Sequence, residues 1–167
     1  MAITVLVASG CSKASSDGRP VASPVTVSAS AMPGASRPGN QGPLLAYRAM
    51  MNDLVVVSRN PNENDPRLRD HASAGALMLL RYIMEADRQK DVVGRGTPVV
   101  DPTIVKSAAT QAVIRDCIDD TQWLLYTRDG ELENDVPGGR HRVDATLEVR
   151  AGAWRVVRLY FDQVGTC

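Results

Sequence analysis

The stretch Arg140–Arg150, RHRVDATLEVR, decides the fold class of this chain. Every second residue, from His141 to Val149, belongs to one mainly apolar face, and the residues between them are Arg, Asp, Thr or Glu. A period of two predicts a β-strand with one buried face and one hydrated face. The small residues Ala151 and Gly152 follow, and they predict a tight turn into a second strand over residues 154–164.

The predicted hairpin also predicts which residues lie opposite one another. If the turn has two residues and the register is uninterrupted, Trp154 faces Val149 on the buried side. The same register places His141 opposite Asp162 and puts Arg158 on the face that carries Trp154. These three polar residues are therefore candidates for a site on the inner face of the sheet.

Upstream of this hairpin the apolar spacing first favours helices and then strands. One helix is predicted to open at Pro43, and a short one starts at the cap Asp65 and ends near Ala74. A longer helix carries one apolar side, formed by Ala76, Leu80, Ile83, Met84 and Asp87. Strands follow over residues 97–106, 110–118 and 122–127, the first with two prolines, as is typical of an edge strand. The prediction is an α+β fold, with N-terminal helices packed on a curved antiparallel sheet of about four strands.

Several functional classes find no support in the sequence. The net charge is zero and the pI is about 6.7, so the chain lacks the basic footprint of a nucleic-acid-binding protein. Gly94-Arg95-Gly96 precedes a strand rather than a helix, which is the wrong context for a dinucleotide. No nucleophile elbow and no zinc-type cluster of Cys and His is present. The sequence thus predicts no cofactor, no metal and no standard catalytic residue.

The remaining polar and aromatic candidates have simpler structural interpretations. Asp116, Asp119 and Asp120 form an acidic run beside Cys117, which offers too few oxygens for calcium. We expect instead a turn in which Asp119 or Asp120 accepts backbone hydrogen bonds. His71 has no evident partner in the sequence. The aromatic residues that could form a ligand platform are more simply core residues: Trp123, Tyr126 and Trp154.

The C-terminal half resembles a known group of proteins. The segments that carry this likeness are GTPVV at 96–100, IRDCIDDTQW at 114–123, WRV at 154–156 and the closing GTC at 165–167. Over about residues 43–167 the chain is similar to uncharacterised secreted lipoproteins of high-GC Gram-positive bacteria with a cystatin-like or nuclear transport factor 2-like cone. The resemblance implies a cavity partly lined by the inner face of the hairpin. That superfamily includes isomerases, dehydratases, small-ligand binders and non-catalytic modules, so the fold assigns no function.

The N-terminal sequence suggests where in the cell the protein is located. An apolar run ends in Ala8-Ser9-Gly10 before Cys11, which looks like the lipobox of a bacterial lipoprotein signal. No Lys or Arg precedes the run, so we expect the true start to lie upstream. Residues 1–11 are predicted to be a truncated signal, 12–42 a disordered linker rich in Ser, Ala, Pro and Gly, and 43–167 the domain. The alternative is a frayed terminus with a chance cysteine.

The assignment of Cys11 leads to a prediction about the oxidation state of the other two cysteines. If Cys11 is lipidated, the protein is anchored to the extracytoplasmic face of the cell membrane, with the membrane and possible envelope proteins as its partners. Cys117 and Cys167 then form an even pair in an oxidising compartment and are predicted to form a disulfide. Two free thiols in a cytosolic domain remain the alternative.

Two hypotheses about function follow. The first is a non-catalytic binding or accessory module. The second is a small-ligand carrier, or an isomerase- or dehydratase-type enzyme, that uses the cone cavity with His141, Arg158 and Asp162 as its polar groups. An enclosed pocket of several hundred Å³ with these three side chains pointing into it would favour the second hypothesis. A cavity filled by Trp154, Leu147 and side chains of the helices would exclude it.

Overall fold

The computed structural model describes the backbone of residues 38–167 and the side chains from residue 42 onward. The predicted signal segment 1–11 and most of the predicted linker lie outside the described residues. The described part has helices α1 (Pro38–Ser58) and α2 (Ala74–Gln89), with a 3-10 helix at Pro66–Arg69 between them. Six strands follow: β1 (Val92–Gly96), β2 (Thr103–Ser107), β3 (Gln111–Asp119), β4 (Trp123–Thr127), β5 (Arg140–Arg150) and β6 (Ala153–Phe161).

The strands form two antiparallel sheets. The larger sheet has the order β2-β3-β5-β6, and β1 pairs with β4 in a separate two-stranded sheet. Both helices contact β6 and β1, so they cover one face of the larger sheet and reach the smaller one. This arrangement confirms the predicted α+β class, with helices packed on a curved antiparallel sheet.

The core lies between the helices and the inner face of the larger sheet. The fully buried side chains with the largest volumes come from both layers: Tyr47, Met50, Leu54, Leu68, Leu80, Met84, Ile114, Ile118 and Leu147. Burial of each such apolar side chain contributes about 1.5–3 kcal/mol to folding. The alternation predicted for β5 is present, since Val143, Ala145 and Leu147 are all buried.

The hairpin of β5 and β6 has the predicted register only near its turn. Val149 faces Trp154 and Leu147 faces Val156, as expected, but Thr146 faces Arg158. Val157 is therefore an extra residue in β6, a β-bulge. From this point the observed pairing is shifted by one residue, which corrects the uninterrupted register predicted from the sequence.

The element boundaries differ from the predictions in three places. β1 was not predicted, because two of its five residues are glycines. Helix α1 begins at Pro38 rather than Pro43, and the short predicted helix contains only the four residues Pro66–Arg69. Asp65 caps that helix as predicted, by accepting a hydrogen bond from the Arg67 N–H. The predicted edge strand is confirmed in position, although it covers only Thr103–Ser107.

A disulfide attaches the C-terminus to the sheet. Cys117 of β3 and Cys167 are bonded, with their Cα atoms 6.0 Å apart, so the predicted pairing is confirmed. Next to it, the Arg142 N–H donates to Thr166 Oγ1 and the Gly165 N–H donates to the Arg140 carbonyl. The last residues are therefore held against the start of β5. Neither α1 nor α2 combines the length and the apolar character that a membrane crossing would require.

Candidate functional site

An apolar cavity of about 240 Å³, partly open to solvent, lies at the end of the core where β4 approaches the larger sheet. Trp123 and Leu125 of β4 form one wall. The other apolar side chains of the lining come from the helices and from the larger sheet: Leu54, Ile83, Met84, Ile118 and Phe161. Neither Trp154 nor Leu147 contributes to this lining, and the cavity is partly open and smaller than the several hundred Å³ expected for a ligand-carrying or catalytic cone. Four polar side chains enter it, from Ser58, Asp87, Asp120 and His141.

Asp87 is the most buried of the acids that line the cavity. Only 7% of it is exposed, and its carboxylate accepts no hydrogen bond from any group in the described part of the chain. Burial raises the pKa of this carboxyl to about 6, the positive charge of Lys90 opposes that rise, and the negative charge of Glu133 adds to it. The oxygens of this carboxylate are not fully enclosed by protein and remain accessible from the cavity.

His141 enters the cavity from β5 and is held on both sides of its ring. Its Nδ1 lies 3.1 Å from the backbone carbonyl oxygen of Asp162, to which it donates in the tautomer that this geometry implies. Its Nε2 lies 3.4 Å from Oδ2 of Asp120. The other oxygen of Asp120 accepts the Gly139 N–H at 2.6 Å, which fixes the carboxylate. Both ring nitrogens of His141 therefore face protein oxygens at the cavity wall.

Ser58 lies at the last turn of α1 and depends on a glycine in the neighbouring strand. Its hydroxyl donates to the Val55 carbonyl at 2.9 Å. A Cβ atom at Gly94 would lie 2.4 Å from Ser58 Oγ and 3.2 Å from Trp123 Nε1. Glycine at position 94 thus allows β1 to approach the end of α1 closely.

The structure brings only one of the three predicted cavity groups into the cavity. His141 lines it, but Arg158 is exposed beside Thr146 in a separate surface depression. The Asp162 carboxylate pairs with Arg142, and only the backbone carbonyl of Asp162 contacts His141. The cause is the bulge at Val157, since a shift of one residue moves a side chain to the opposite face of a strand.

Two acids of the site were not identified from the sequence. Asp87 falls on the apolar side of the predicted helix, and that position was the available signal for a buried carboxylate. Asp120 was expected to accept backbone hydrogen bonds in a turn, and it does so from Gly139. Its second contact, to His141, joins residues that are far apart in sequence.

The other acids of the predicted cluster have separate structural roles. Asp119 accepts hydrogen bonds from the N–H and the hydroxyl of Thr121, which lower the pKa of its carboxyl. Asp116 is buried and accepts the Asp101 N–H at 2.8 Å, and desolvation raises its pKa. Among the described residues, no three His, Cys, Asp or Glu side chains converge in a way that could hold a metal ion.

The remaining candidates from the sequence have partners of their own. His71 Nδ1 lies 2.6 Å from Asp53 Oδ2, a pairing between the 3-10 region and α1 that the sequence did not indicate. Trp154 packs so closely on α1 that a Cβ atom at Gly42 would lie 2.8 Å from its ring. Trp123 lines the cavity and Trp154 does not, so the three aromatic residues form no common platform.

Comparison with known proteins shows similarity in fold. No protein-family model and no curated protein sequence matches the chain. Among solved structures, the intermembrane space region of the chloroplast protein ARC6 has a TM-score of 0.57 at 9% identity, over 75% of this chain and 97% of that one. A variant of Rv3472, of unknown function, from Mycobacterium tuberculosis has a TM-score of 0.50 at 17% identity, over 79% and 80% of the two chains.

A protein of unknown function from Nostoc punctiforme, described as having a cystatin-like fold, has a TM-score of 0.45 at 12% identity, over 71% of this chain and 88% of that one. The resemblance to a group of secreted lipoproteins, drawn from the sequence, stays a prediction. At these identities the similarity concerns the fold alone.

Proposed function

We propose that this domain binds a small, mainly apolar molecule in the cavity beside β4, as a non-catalytic binding module. The observation that carries the proposal is the cavity itself, about 240 Å³ with a mostly apolar lining and a buried carboxylate. An apolar cavity of about 150 Å³ accepts benzene, and drug-sized ligands occupy roughly 300–1,000 Å³. The size therefore suits a molecule with one ring or a short branched chain.

Two features of the cavity favour binding. The cavity is partly open, so its apolar lining meets water unless a ligand covers it. No group in the described part of the chain donates to the Asp87 carboxylate, whose oxygens remain accessible from the cavity. That an apolar opening and a partnerless acid, Asp87, occur at the same place supports a role in binding rather than in folding.

The binding test uses toluene as the probe. We expect a saturable shift of the Trp123 indole signal in an NMR titration of the wild-type protein. Ile83→Phe adds a ring to the cavity lining and should weaken toluene binding by about tenfold or more. Met78→Phe is the matched control, because Met78 lies on the same helix with 71% of its surface exposed. A wild-type protein without a saturable shift, or equal binding by Ile83→Phe, would contradict the proposal.

His141 and Asp120 support a second candidate, an isomerase- or dehydratase-type enzyme. The pair lies in the cavity wall, and Nε2 of His141 would serve as a general acid or base if a substrate took the place of Asp120 beside it. His141→Gln separates the two functions. If the domain is a binding module, neither the wild-type protein nor His141→Gln converts the bound molecule, and both bind it equally. If it is an enzyme, the wild-type protein converts the molecule, and His141→Gln binds it without converting it.

The cellular location is part of the proposal. We infer that Cys11 is acylated and anchors the domain to the extracytoplasmic face of the membrane, where an envelope protein could be its partner. The apolar run before Cys11 supports this, as does the bond between Cys117 and Cys167, because structural disulfides persist in oxidising compartments. The linker rich in Ser, Ala, Pro and Gly would hold the cavity away from the lipid surface.

A further inference from the structure

The chemical nature of the ligand can be inferred from Asp87. This residue is more than nine-tenths buried, it lines the apolar cavity, and no donor in the described part of the chain reaches its carboxylate. Buried charges in proteins are normally paired or hydrogen-bonded. The oxygens of Asp87 are not fully enclosed by protein, so a molecule in the cavity can donate to them.

The basic groups nearby are directed elsewhere. Lys90, one turn beyond Asp87 in sequence, has its Nζ 3.0 Å from Glu133 Oε1. His141 faces Asp120 and the Asp162 carbonyl through its two ring nitrogens. In the described residues, no lysine or arginine lines the cavity. Lys90 is close enough to lower the pKa of Asp87, but no donor in the described residues is hydrogen-bonded to its carboxylate, so that position is left for a ligand.

We propose that the ligand is a small apolar amine, whose protonated nitrogen donates to the carboxylate of Asp87 while its hydrocarbon part fills the cavity. This inference rests on the proposed binding function and specifies the class of ligand. A carboxylic acid would place a second negative charge beside Asp87 and Asp120, which disfavours binding. A hydroxyl would supply one hydrogen bond but leave the charge of Asp87 uncompensated, whereas an ammonium group supplies both.

The affinity of the protein for an amine should depend on pH in a defined direction. Asp87 must be ionised to attract the amine, and the charged or titratable groups around it are Lys90, Glu133, Asp120 and His141. Because burial places the pKa of Asp87 at about 6, the affinity for an amine should fall as the pH drops from 7.5 to 5. The affinity for a neutral hydrocarbon should not follow this curve.

Three probes of similar size test the inference: benzylamine, toluene and benzoate. For the wild-type protein at pH 7.5 we expect benzylamine to bind at least about tenfold more tightly than toluene, and benzoate about tenfold more weakly or worse. Asp87→Asn, which keeps the shape of the side chain, should remove the preference for benzylamine and leave toluene binding unchanged. Glu85→Gln is the control, since Glu85 is an exposed acid on the same helix and should behave as wild type.

The outcomes separate this inference from the function on which it depends. If toluene binds and benzylamine binds no better, the amine inference is overturned and the apolar cavity remains a binding site. If the preference for benzylamine persists in a folded Asp87→Asn protein, the assigned role of Asp87 is overturned. If no probe binds to the folded wild-type chain, both proposals fail.

Discussion

Among single residues, Asp87 links the cavity to the stability of the domain. Burial raises the pKa of its carboxyl from an ordinary value of 3.8 to about 6, so the folded state binds more protons between these two values. Where the folded state binds more protons, stability falls as the pH rises. The shift corresponds to a loss on the order of 2–3 kcal/mol as the pH rises from 4 to 7. Asp87→Asn cannot ionise, so its unfolding free energy relative to wild type should rise by about this amount in urea unfolding over that range.

Asp119 supplies a control, because its contribution to stability should change with pH in the opposite direction to that of Asp87. Its hydrogen bonds from Thr121 lower the pKa of its carboxyl, so they stabilise the fold above the unfolded pKa and are lost as the pH falls. Asp119→Asn should therefore lower the free energy of unfolding more at pH 7 than at pH 3. A constant difference between Asp87→Asn and wild type over pH 4–7 would show that Asp87 is not held in a desolvated site.

Among the structural elements, the C-terminal tail connects the disulfide with the cavity. The bond from Cys117 to Cys167 holds the tail, and the tail places the Asp162 carbonyl against His141. Replacement of both cysteines by alanine removes a cross-link between residues separated by 50 positions, which should lower stability by about 4 kcal/mol in the chain-entropy model. The N–H of Gly165, bonded to the Arg140 carbonyl, should then exchange faster with solvent.

Hydrogen exchange and thermal unfolding measure these two effects. Cys11→Ala, which leaves the bridge intact, should match wild type in both. If the protein without the bridge protects Gly165 as well as wild type does, then the backbone hydrogen bonds of the tail are sufficient to hold it and the disulfide has no part in positioning His141.

The elements also show what the sequence could and could not predict. β5 was predicted with its observed bounds, Arg140–Arg150, because strict alternation over many residues has one structural solution. β1 was missed because it is short and contains Gly94 and Gly96, and its partner β4 is distant in the chain. The bulge was missed because Val156 and Val157 are both apolar, and both are buried. That single extra residue is what separates Arg158 from the cavity.

For the molecule as a whole, the fold class can be predicted from the order of elements in the sequence, whereas the cavity depends on distances between packed elements. The order of helices and strands in the sequence is enough for the α+β class. The cavity depends on the distance between α1, α2 and β4, which is set by close approaches such as that of Gly94 to Ser58. No periodic pattern encodes such a distance. His141 could be predicted from its place on β5, whereas the roles of Asp87 and Asp120 emerge only when the layers are assembled.

The last prediction concerns the whole chain in the cell. Because Cys117 and Cys167 are bonded to each other, Cys11 is the one cysteine left for another modification. Protein extracted from membranes should begin at an acylated Cys11 and weigh two hydrogens less than the reduced form, as measured by intact mass. Cys11→Ser should lose the acyl mass and keep the disulfide, and the variant without the disulfide should keep the acyl mass. A native chain that retains the residues before position 11, with a free thiol at Cys11, would leave the domain without its proposed anchor.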